Sequence, residues 1–340
     1  MSGPNPELKK QILQQAQGAA MLNVAFIGVA NGLFDQLVDG GSASSDELAV
    51  RSGRDRGYVE RWADAAFAFG LLDDDGGRFA PTELGRAFAR STPGNAVAMA
   101  VQAVLGAHMA ERAATLMKSG ERPGEAVLAE RESILPLFGP MLELTFGPMF
   151  EEHILPNVPV FKEVNARGGV AVDLGCGNGW YLRKLVKRCA DLRGVGLDGF
   201  DENIRQARAL AASEGTADRL EFKSGDLHRF SVDEPVDLIA MNRALHHVWS
   251  EKDNVFRILK EHLKPGGAAV IWEPAWPAER AALRDPSRRG MAFQNLSEHV
   301  QGNHFLRPEE IAQAFEAVGM KATVHRFLND NEAVVVGERR

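Results

Sequence analysis

The chain has 340 residues, of which 45% are hydrophobic and 25% are charged, and its formal net charge is −7. This length suits two domains or one domain with a large appendage, and the composition is ordinary for a soluble globular protein. The negative charge argues against a protein whose main task is to hold nucleic-acid phosphates, because such domains usually carry a basic surface. The two cysteines, Cys176 and Cys189, are too few for a disulfide framework, so we expect a reducing, cytoplasmic location.

The N-terminal segment contains an apolar run, GAAMLNVAFIGVA, after Lys9 and Lys10. The run is too short to span a bilayer, and it continues into NGLFDQLVDGG without a clear small-residue cleavage site. We therefore predict a buried helix rather than a signal peptide, and we expect no membrane partner.

The pattern of residues 1–94 predicts helices followed by one hairpin. In SSDELAVRSG, Ser44 and Glu47 form a capping-box pattern, and Gly53 ends the helix. The next segment, RDRGYVERWADAAFAFGLL, places apolar residues on one helical stripe, and the Asp-Gly-Gly turn of DDDGGRFAP predicts a hairpin. Helix, short helix, longer helix and hairpin is the order of a winged-helix domain.

The rest of the chain changes pattern twice. Residues 95–167 are helical but interrupted by prolines, which predicts a helical linker that contributes to a pocket. Over residues 168–340, short apolar strands such as VDLIAMN alternate with amphipathic helices such as WYLRKLVKRC. This alternation predicts an α/β fold with a doubly wound, Rossmann-like parallel sheet.

The first strand of that sheet ends in VDLGCGNG, where Asp173 is followed by Gly175, Gly177 and Gly179. Glycines allow positive φ and let a ligand approach the backbone closely. The carboxyl ends of the strands are also where doubly wound sheets bind ligands. A glycine loop alone is a weak signal, and GxGxG differs from the GxGxxG of dinucleotide-binding domains.

Polar residues at later strand ends strengthen the prediction of a cofactor site. Asp198 ends the second strand in GVGLD, where its carboxylate can accept both hydroxyls of a ribose, and Asp226 ends the third strand in KSGDLH, where it suits an adenine amino group. Leu227 follows Asp226 and Asn242 ends the fourth strand, so we include both among the predicted cofactor-binding residues.

These segments, together with the helix NVFRILKEHL and the KPGG turn before AAVIWEP, resemble class I S-adenosylmethionine-dependent methyltransferases over residues 169–273. The resemblance implies that S-adenosylmethionine is the cofactor. An NAD-binding domain is the alternative, and the KPGG turn and the LHH segment disfavour it.

A winged-helix N-domain, a helical linker and a class I domain with WEPAWP further resemble the small-molecule O-methyltransferases of plants and bacteria. The resemblance implies a dimerisation domain over 1–94, a linker over 95–167 that helps to wall the substrate pocket, and a catalytic domain over 168–340. It also implies a homodimer that acts on a small molecule. Members usually carry an acidic residue directly after the catalytic histidine, whereas LHHVW leaves both His246 and His247 as candidates.

One histidine is enough for metal-free O-methylation. His246 or His247 would remove a phenol or hydroxyl proton as the methyl group is transferred, and Glu273 would orient the ring. Arg243, beside the histidine pair, is a further candidate catalytic residue that could hold a substrate carboxylate. An ion pair with an acidic neighbour is the alternative role for Arg243.

Four of the nine histidines lie in two short segments, LHHVW and EHVQGNH. Candidate ligands of one divalent metal ion, Fe or Zn, are therefore His247, His299, His304 and Glu298. Such an ion could chelate a 2-oxo acid and acidify its adjacent carbon for methylation. This arrangement is similar to the metal-dependent 2-oxo acid C-methyltransferases of bacterial amino-acid and peptide natural-product pathways. We favour it slightly over O-methylation, because four clustered histidines exceed what one base needs; capping, packing or surface roles are the alternative for each.

Two other classes of function fit the sequence less well. A winged helix often binds DNA, but the acidic DDD of the hairpin and the net charge oppose a DNA-binding regulator. A methyltransferase of DNA amino groups would carry an NPPY-type motif, where this chain has MNRAL. We therefore expect a small-molecule acceptor and no nucleic-acid partner.

Overall fold

The computed structural model describes residues 5–124, 127, 130, 135–226, 230–232 and 234–340. The chain divides into two compact units, Met1–Met109 and Ala110–Arg340. The division into 1–94, 95–167 and 168–340 stays a prediction.

The first unit contains the predicted helix, short helix, longer helix and hairpin in that order, and a further helix over Leu33–Gly40, which was not predicted, follows the first. Its elements are α1 (Pro6–Ala30), α2 (Leu33–Gly40), α3 (Ser45–Ser52), α4 (Arg56–Ala68), β1 (Leu72–Asp75), β2 (Arg78–Pro81) and α5 (Glu83–Arg86), and α6 (Val97–Leu116) spans the division between the units. The capping box of Ser44 and Glu47 is present, and Gly53 ends α3 in the left-handed conformation, as predicted.

Helix α1 corrects one prediction, because its apolar run is a helix but is not a buried one. Its buried residues are Ala25, Gly28 and Val29. Gly28 lies against Phe34 and Trp62, and the Trp62 indole donates to the carbonyl of Val24 at 3.0 Å. One stripe of α1 therefore packs against α2 and α4, while the first half of the helix is exposed. By length and composition α1 is also apolar enough to cross a membrane, a test that core helices and signal sequences pass too.

The second unit confirms the predicted α/β fold. Its elements are α7 (Leu135–Met149), a π-helical turn (Phe150–Ile154), α8 (Pro159–Arg167), β3 (Val170–Leu174), α9 (Trp180–Arg188), β4 (Arg193–Asp198), α10 (Asp201–Ser213), β5 (Leu220–Ser224), β6 (Val236–Asn242), α11 (Lys252–His262), β7 (Leu263–Pro274), α12 (Arg289–Glu298), α13 (Pro308–Ala317), β8 (Lys321–Phe327) and β9 (Glu332–Glu338). Short 3₁₀ turns cover Leu245–His247 and His299–Gln301.

The seven strands of the second unit form one sheet in the order β5-β4-β3-β6-β7-β9-β8. The first five strands are parallel, as predicted, but β9 runs antiparallel to both β7 and β8. Residues 328–331 alone join β8 to β9. A parallel pair needs a crossover of about a dozen residues or more, so this short connection makes a hairpin.

The core lies on both faces of this sheet. Along β6, Leu238 and Ala240 belong to one buried apolar cluster, and Ile239 and Met241 belong to the other. Successive side chains of a strand point to opposite faces, so a strand buried on both sides is apolar throughout.

The strand order reverses beside β3, which pairs with both β4 and β6. The carboxyl ends of parallel strands meet at one edge of a sheet, and ligands bind where the order reverses. This edge carries the last residues of β4 and β6, Asp198 and Asn242, and also Asp173 and Glu273 near the ends of β3 and β7. The fold thus brings predicted residues from four strands to the same edge.

Candidate active site

The glycine loop after β3 is a tight turn closed by backbone hydrogen bonds. Gly175, Gly177 and Gly179 all have positive φ. The N–H groups of Gly175 and Cys176 both donate to the carbonyl of Leu197 at 2.9 Å. A Cβ at Gly177 would face open space, whereas one at Gly179 would lie 2.6 Å from the Phe222 ring. Gly177 thus offers an uncovered backbone to a ligand, and Gly179 is needed for packing.

Asp198 is a buried carboxylate fixed by three donors. Its Oδ2 accepts the N–H of Gly177 at 2.8 Å. Its Oδ1 accepts the N–H of Phe200 and the amide of Asn203, both at 2.9 Å. A carboxylate offers about four acceptor positions, so Asp198 can accept a further hydroxyl while it holds the loop in place.

Asp173 lies beneath the loop and pairs with Asn242, whose Nδ2 donates to Asp173 Oδ1 at 2.9 Å. Burial raises the pKa of Asp173 to about 8, an effect that the Asn242 hydrogen bond reduces and the Asp198 charge increases. A cationic ligand would stabilise the ionised form of Asp173 and so lower this raised pKa, which makes the pocket favourable for such a ligand.

Of the two remaining predicted cofactor-binding residues, Asp226 and Leu227, the structure describes only Asp226. Asp226 is exposed and lies two residues beyond the end of β5, next to Gly225, whose N–H donates to the carbonyl of Asp198 at 3.0 Å. Leu227 lies outside the described residues. The roles of Asp226 and Leu227 stay predictions.

His246 is buried in the 3₁₀ turn after β6, between two carboxylates. Its Nδ1 lies 2.7 Å from Glu273 Oε2, and its Nε2 lies 3.7 Å from Glu298 Oε2. Burial lowers the pKa of the His246 imidazole, but the charges and hydrogen bonds of Glu273 and Glu298 outweigh that effect and raise the pKa to about 10. At neutral pH His246 is therefore protonated in the ligand-free protein and cannot accept a substrate proton.

His247 is half-buried and stacks on His246, with ring centroids 4.2 Å apart. Its Nδ1 lies 2.8 Å from the Nδ2 of Asn303, a buried residue. The ring of His246 also meets Phe305 edge to face at 5.5 Å. These contacts fix the two imidazoles side by side.

Glu298 completes a group of possible metal ligands. One ligand atom each of His246, His247 and Glu298 lies within 4.8 Å of the other two. Burial raises the pKa of Glu298, but the hydrogen bonds and charges of the two histidines and Asn303 outweigh it, so that the pKa is lowered. Two imidazoles and one carboxylate are a set that Fe(II) and Zn bind with open positions.

Two of the predicted metal ligands lie elsewhere. His299 is exposed, and its Nε2 accepts from the Arg122 guanidinium at 3.1 Å. His304 is exposed as well. Neither belongs to the group of His246, His247 and Glu298. His299 directly follows Glu298 in the sequence, but its side chain contacts Arg122 and not the histidine pair. Among the described residues, His246 takes the place of His299 and His304 in the group of possible metal ligands.

Arg243 takes the alternative role of an ion pair. Its Nη1 lies 2.8 Å from Glu332 Oε2, which also accepts the indole N–H of Trp272 at 2.8 Å. The guanidinium lies over the Phe146 ring at 4.1 Å from the centroid. Arg243 has φ 57, an uncommon conformation for a residue with a side chain. Its charge is already neutralised, so binding of a substrate carboxylate would have to displace Glu332.

One segment of the chain matches a known protein family. Residues 171–267 match the family described as methyltransferase domain. This segment of the chain is therefore similar to a methyltransferase domain. It includes the glycine loop, Asp198 and the histidine pair.

Two curated relatives are methyltransferases of small molecules. This chain is similar to trans-aconitate 2-methyltransferase of Azoarcus sp., at 34% identity over 30% of this chain and 38% of the relative. It is also similar to sterol 24-C-methyltransferase of Saccharomyces cerevisiae, at 24% identity over 53% of this chain and 45% of the relative. The chain spans less than half the length of these relatives.

Solved structures match the fold over nearly the whole chain. An O-methyltransferase family protein from Burkholderia thailandensis aligns with a TM-score of 0.73 at 19% identity, covering 99% of both chains. Mitomycin 7-O-methyltransferase aligns with a TM-score of 0.70 at 19% identity, covering 98% of both chains. The chain therefore shares the fold of these two structures over nearly its whole length.

The sequence did not point to Asn303 or Glu332. Asn303 lies in the EHVQGNH segment, but nothing in the pattern indicated that it would reach His247. Glu332 is on β9, a strand that we did not predict, and it reaches the site through the antiparallel pairing with β7.

Proposed function

We propose that this protein transfers a methyl group from S-adenosylmethionine to a small molecule. The glycine loop and the two buried carboxylates support this cofactor. Asp198 has remaining acceptor positions for ribose hydroxyls, Gly177 exposes its backbone, and the acidic pocket around Asp173 favours a ligand with an ammonium and a sulfonium group. When bound, S-adenosylmethionine supplies an electrophilic methyl group.

We propose further that a divalent metal ion is held by His246, His247 and Glu298. The observation that carries this proposal is the convergence of their ligand atoms within 4.8 Å. Glu273 would orient His246 through Nδ1, as a carboxylate commonly orients a metal-binding histidine. A divalent ion would take the place of the proton that the two carboxylates now stabilise on His246.

The acceptor that suits such a site is a 2-oxo acid, which becomes methylated on carbon. The ion would supply Lewis-acid activation of a 2-oxo acid chelated through its carboxylate and keto oxygens. The protein's own part is to hold the acceptor carbon in line with the methyl group and to exclude water. The C–S bond of the donor breaks, a C–C bond forms, and the acceptor carbon loses a proton.

The test is a screen of 2-oxo acids with labelled S-adenosylmethionine and purified protein, with and without added Fe(II) or Zn. The expected product carries the methyl group on the carbon beside the keto group, and a chelator stops its formation. Formation of an O-methyl product that is insensitive to the chelator would contradict the proposal.

Metal-free O-methylation is the second candidate, and the similarity to O-methyltransferase structures over the whole chain supports it. His247 would be the base, because His246 is held protonated between Glu273 and Glu298. In that case phenols and other hydroxyl compounds are substrates, and the His247→Gln variant loses turnover while a chelator has no effect.

We also propose a cytoplasmic homodimer formed through residues 1–94. Exposed apolar side chains of α1 support it: Leu8, Ile12 and Leu13 are 49%, 57% and 58% exposed. A patch of this kind marks an interaction site. Sedimentation should give a dimer for the unmodified chain, and the Ile12→Glu/Leu13→Glu variant should sediment as a monomer; a monomeric unmodified chain would contradict the proposal.

A further inference from the structure

A buried amide connects the glycine loop to helix α7. Asn178 lies in the loop between Gly177 and Gly179, and its side chain is fully buried. Its Oδ1 accepts the backbone N–H of Trp180 at 3.3 Å, and its Nδ2 donates to Glu143 Oε2, on α7, at 3.2 Å. A backbone N–H only donates, and an ionised carboxylate only accepts. Both contacts therefore require the same orientation of the Asn178 amide.

Glu143 is itself held by a buried cation. It accepts a hydrogen bond from the guanidinium of Arg183, on α9, which is 1% exposed. Glu214, directly after α10, accepts from the other amino group of the same guanidinium. The two carboxylates are similarly exposed, at 25% for Glu143 and 24% for Glu214. Arg183 thus lies between two comparable partners, and Glu143 is the one that also contacts the loop.

The backbone of α7 approaches the loop closely at Gly139. A Cβ at Gly139 would lie 2.9 Å from the Cβ of Asn178, a separation at which two carbon atoms repel each other. Residues four apart lie on the same face of a helix, so Gly139 and Glu143 face the loop together. One face of α7 therefore contacts Asn178 both by close backbone packing and by a hydrogen bond.

We propose that Glu143 is a positioning residue for the glycine loop. Asp198 holds the loop at Gly177 from the side of the sheet, and Glu143 holds it at Asn178 from the side of α7. A loop that is ordered beforehand loses less entropy when a ligand binds. Glu143 thereby raises the affinity for a ligand at the uncovered backbone of Gly177. The inference rests on the proposed function only for the identity of that ligand, S-adenosylmethionine.

The first test measures the loop itself and needs no ligand. Hydrogen–deuterium exchange of residues 173–181, followed by mass spectrometry, reports how readily the loop opens. Glu143→Met removes the acceptor of the Asn178 amide, so we expect exchange about five- to tenfold faster than in the unmodified chain. Glu214→Met is the matched control, because it also takes one carboxylate from Arg183 but leaves the loop contact. Equal exchange in the two variants would overturn the inference.

A conservative variant separates the loop contact from the charge. Glu143→Gln loses the charge that pairs with Arg183 but keeps a side-chain oxygen that can accept from Asn178. Its exchange over residues 173–181 should stay within about twofold of that of the unmodified chain. Exchange as fast as in Glu143→Met would assign the effect to the ion pair and would also overturn the inference.

Gly139→Ala tests the same contact without touching the ion pair. The added methyl group displaces Asn178, and α7 is retained because alanine favours a helix more than glycine does. We expect faster exchange of residues 173–181 here too, so the inference stays testable if Glu143→Met does not fold. Exchange as slow as in the unmodified chain would contradict it.

The second test measures the ligand. Isothermal titration calorimetry with S-adenosylmethionine should show binding about three- to tenfold weaker in Glu143→Met, and within about twofold of the unmodified chain in Glu214→Met and Glu143→Gln. Equal affinity in all four proteins would overturn the inference. An unmodified chain that does not bind S-adenosylmethionine would instead contradict the proposed function, and the exchange measurements would still decide whether Glu143 holds the loop.

Discussion

The cofactor side and the histidine side of the same sheet edge are built in different ways. On the cofactor side, a continuous loop of glycines is closed by backbone hydrogen bonds and by one carboxylate, Asp198. On the histidine side, His246 and His247, Glu273 and Glu298 come from three separate segments and meet only through their side chains. Backbone turns follow from local sequence, whereas convergence of side chains follows from the whole fold.

The largest effect should come from the histidine side. His246→Gln removes the group that Glu273 and Glu298 both contact, and we expect turnover to fall at least about 100-fold while S-adenosylmethionine still binds. Glu298→Gln should have a similar effect. His299→Gln is the matched control, because His299 is exposed and outside the ligand group, and its turnover should stay within about twofold. An equal loss of turnover in all three variants would mean that His299 belongs to the site.

On the cofactor side, Asp198→Ala should weaken S-adenosylmethionine binding about 100-fold. The change removes the proposed acceptors for the ribose and also releases the Gly177 N–H that shapes the loop. Isothermal titration calorimetry measures the effect, and Asp218→Asn, an exposed acid of the same domain, is the control. Unchanged affinity in Asp198→Ala would remove this residue from the cofactor site.

The pH dependence of the melting temperature tests whether burial raises the pKa of Asp173 in the folded protein. Its pKa is raised to about 8 in the folded protein, above the ordinary value of 3.8, so folding favours the protonated form. This contribution to stability is complete below pH 3.8 and is lost as the pH rises to about 8. Between pH 6 and 9 the melting temperature of Asp173→Asn should therefore fall less than that of the unmodified chain. Parallel curves would mean that Asp173 is ionised in the fold.

The smallest effect should come from Asp226→Asn. Asp226 is exposed, so its predicted hydrogen bond with the adenine amino group would contribute about 1 kcal/mol, and we expect a three- to tenfold loss of S-adenosylmethionine affinity. Calorimetry with S-adenosylhomocysteine should give the same loss, because the adenine is common to both ligands. An unchanged affinity for both would place the adenine elsewhere.

Most of the second unit could be predicted from the sequence. Its strands are short apolar runs that end in glycine or a polar residue, and its helices have a polar face, so local pattern and tertiary structure agree. The last hairpin, β8 and β9, was not predicted. Neither strand shows a clear alternation of buried and exposed residues. The residues of β8 are exposed or half-buried, and β9 is buried almost throughout. Glu332 was missed with it.

The histidine cluster could be predicted only in part. The sequence indicated that LHHVW and EHVQGNH meet, and the structure brings His247 and Glu298 together. It could not indicate that His246 is the buried member, because the two carboxylates that contact His246, those of Glu273 and Glu298, come from other segments of the chain.

The metal content of tag-free protein purified without chelators is the first measurement to make on the proposed metal site, by mass spectrometry beside the Glu298→Gln variant. We expect about one equivalent of iron or another divalent transition metal per unmodified chain, and a clear loss in the variant. A metal-free chain that methylates its substrate in the presence of a chelator would contradict the account and leave His247 as a simple base.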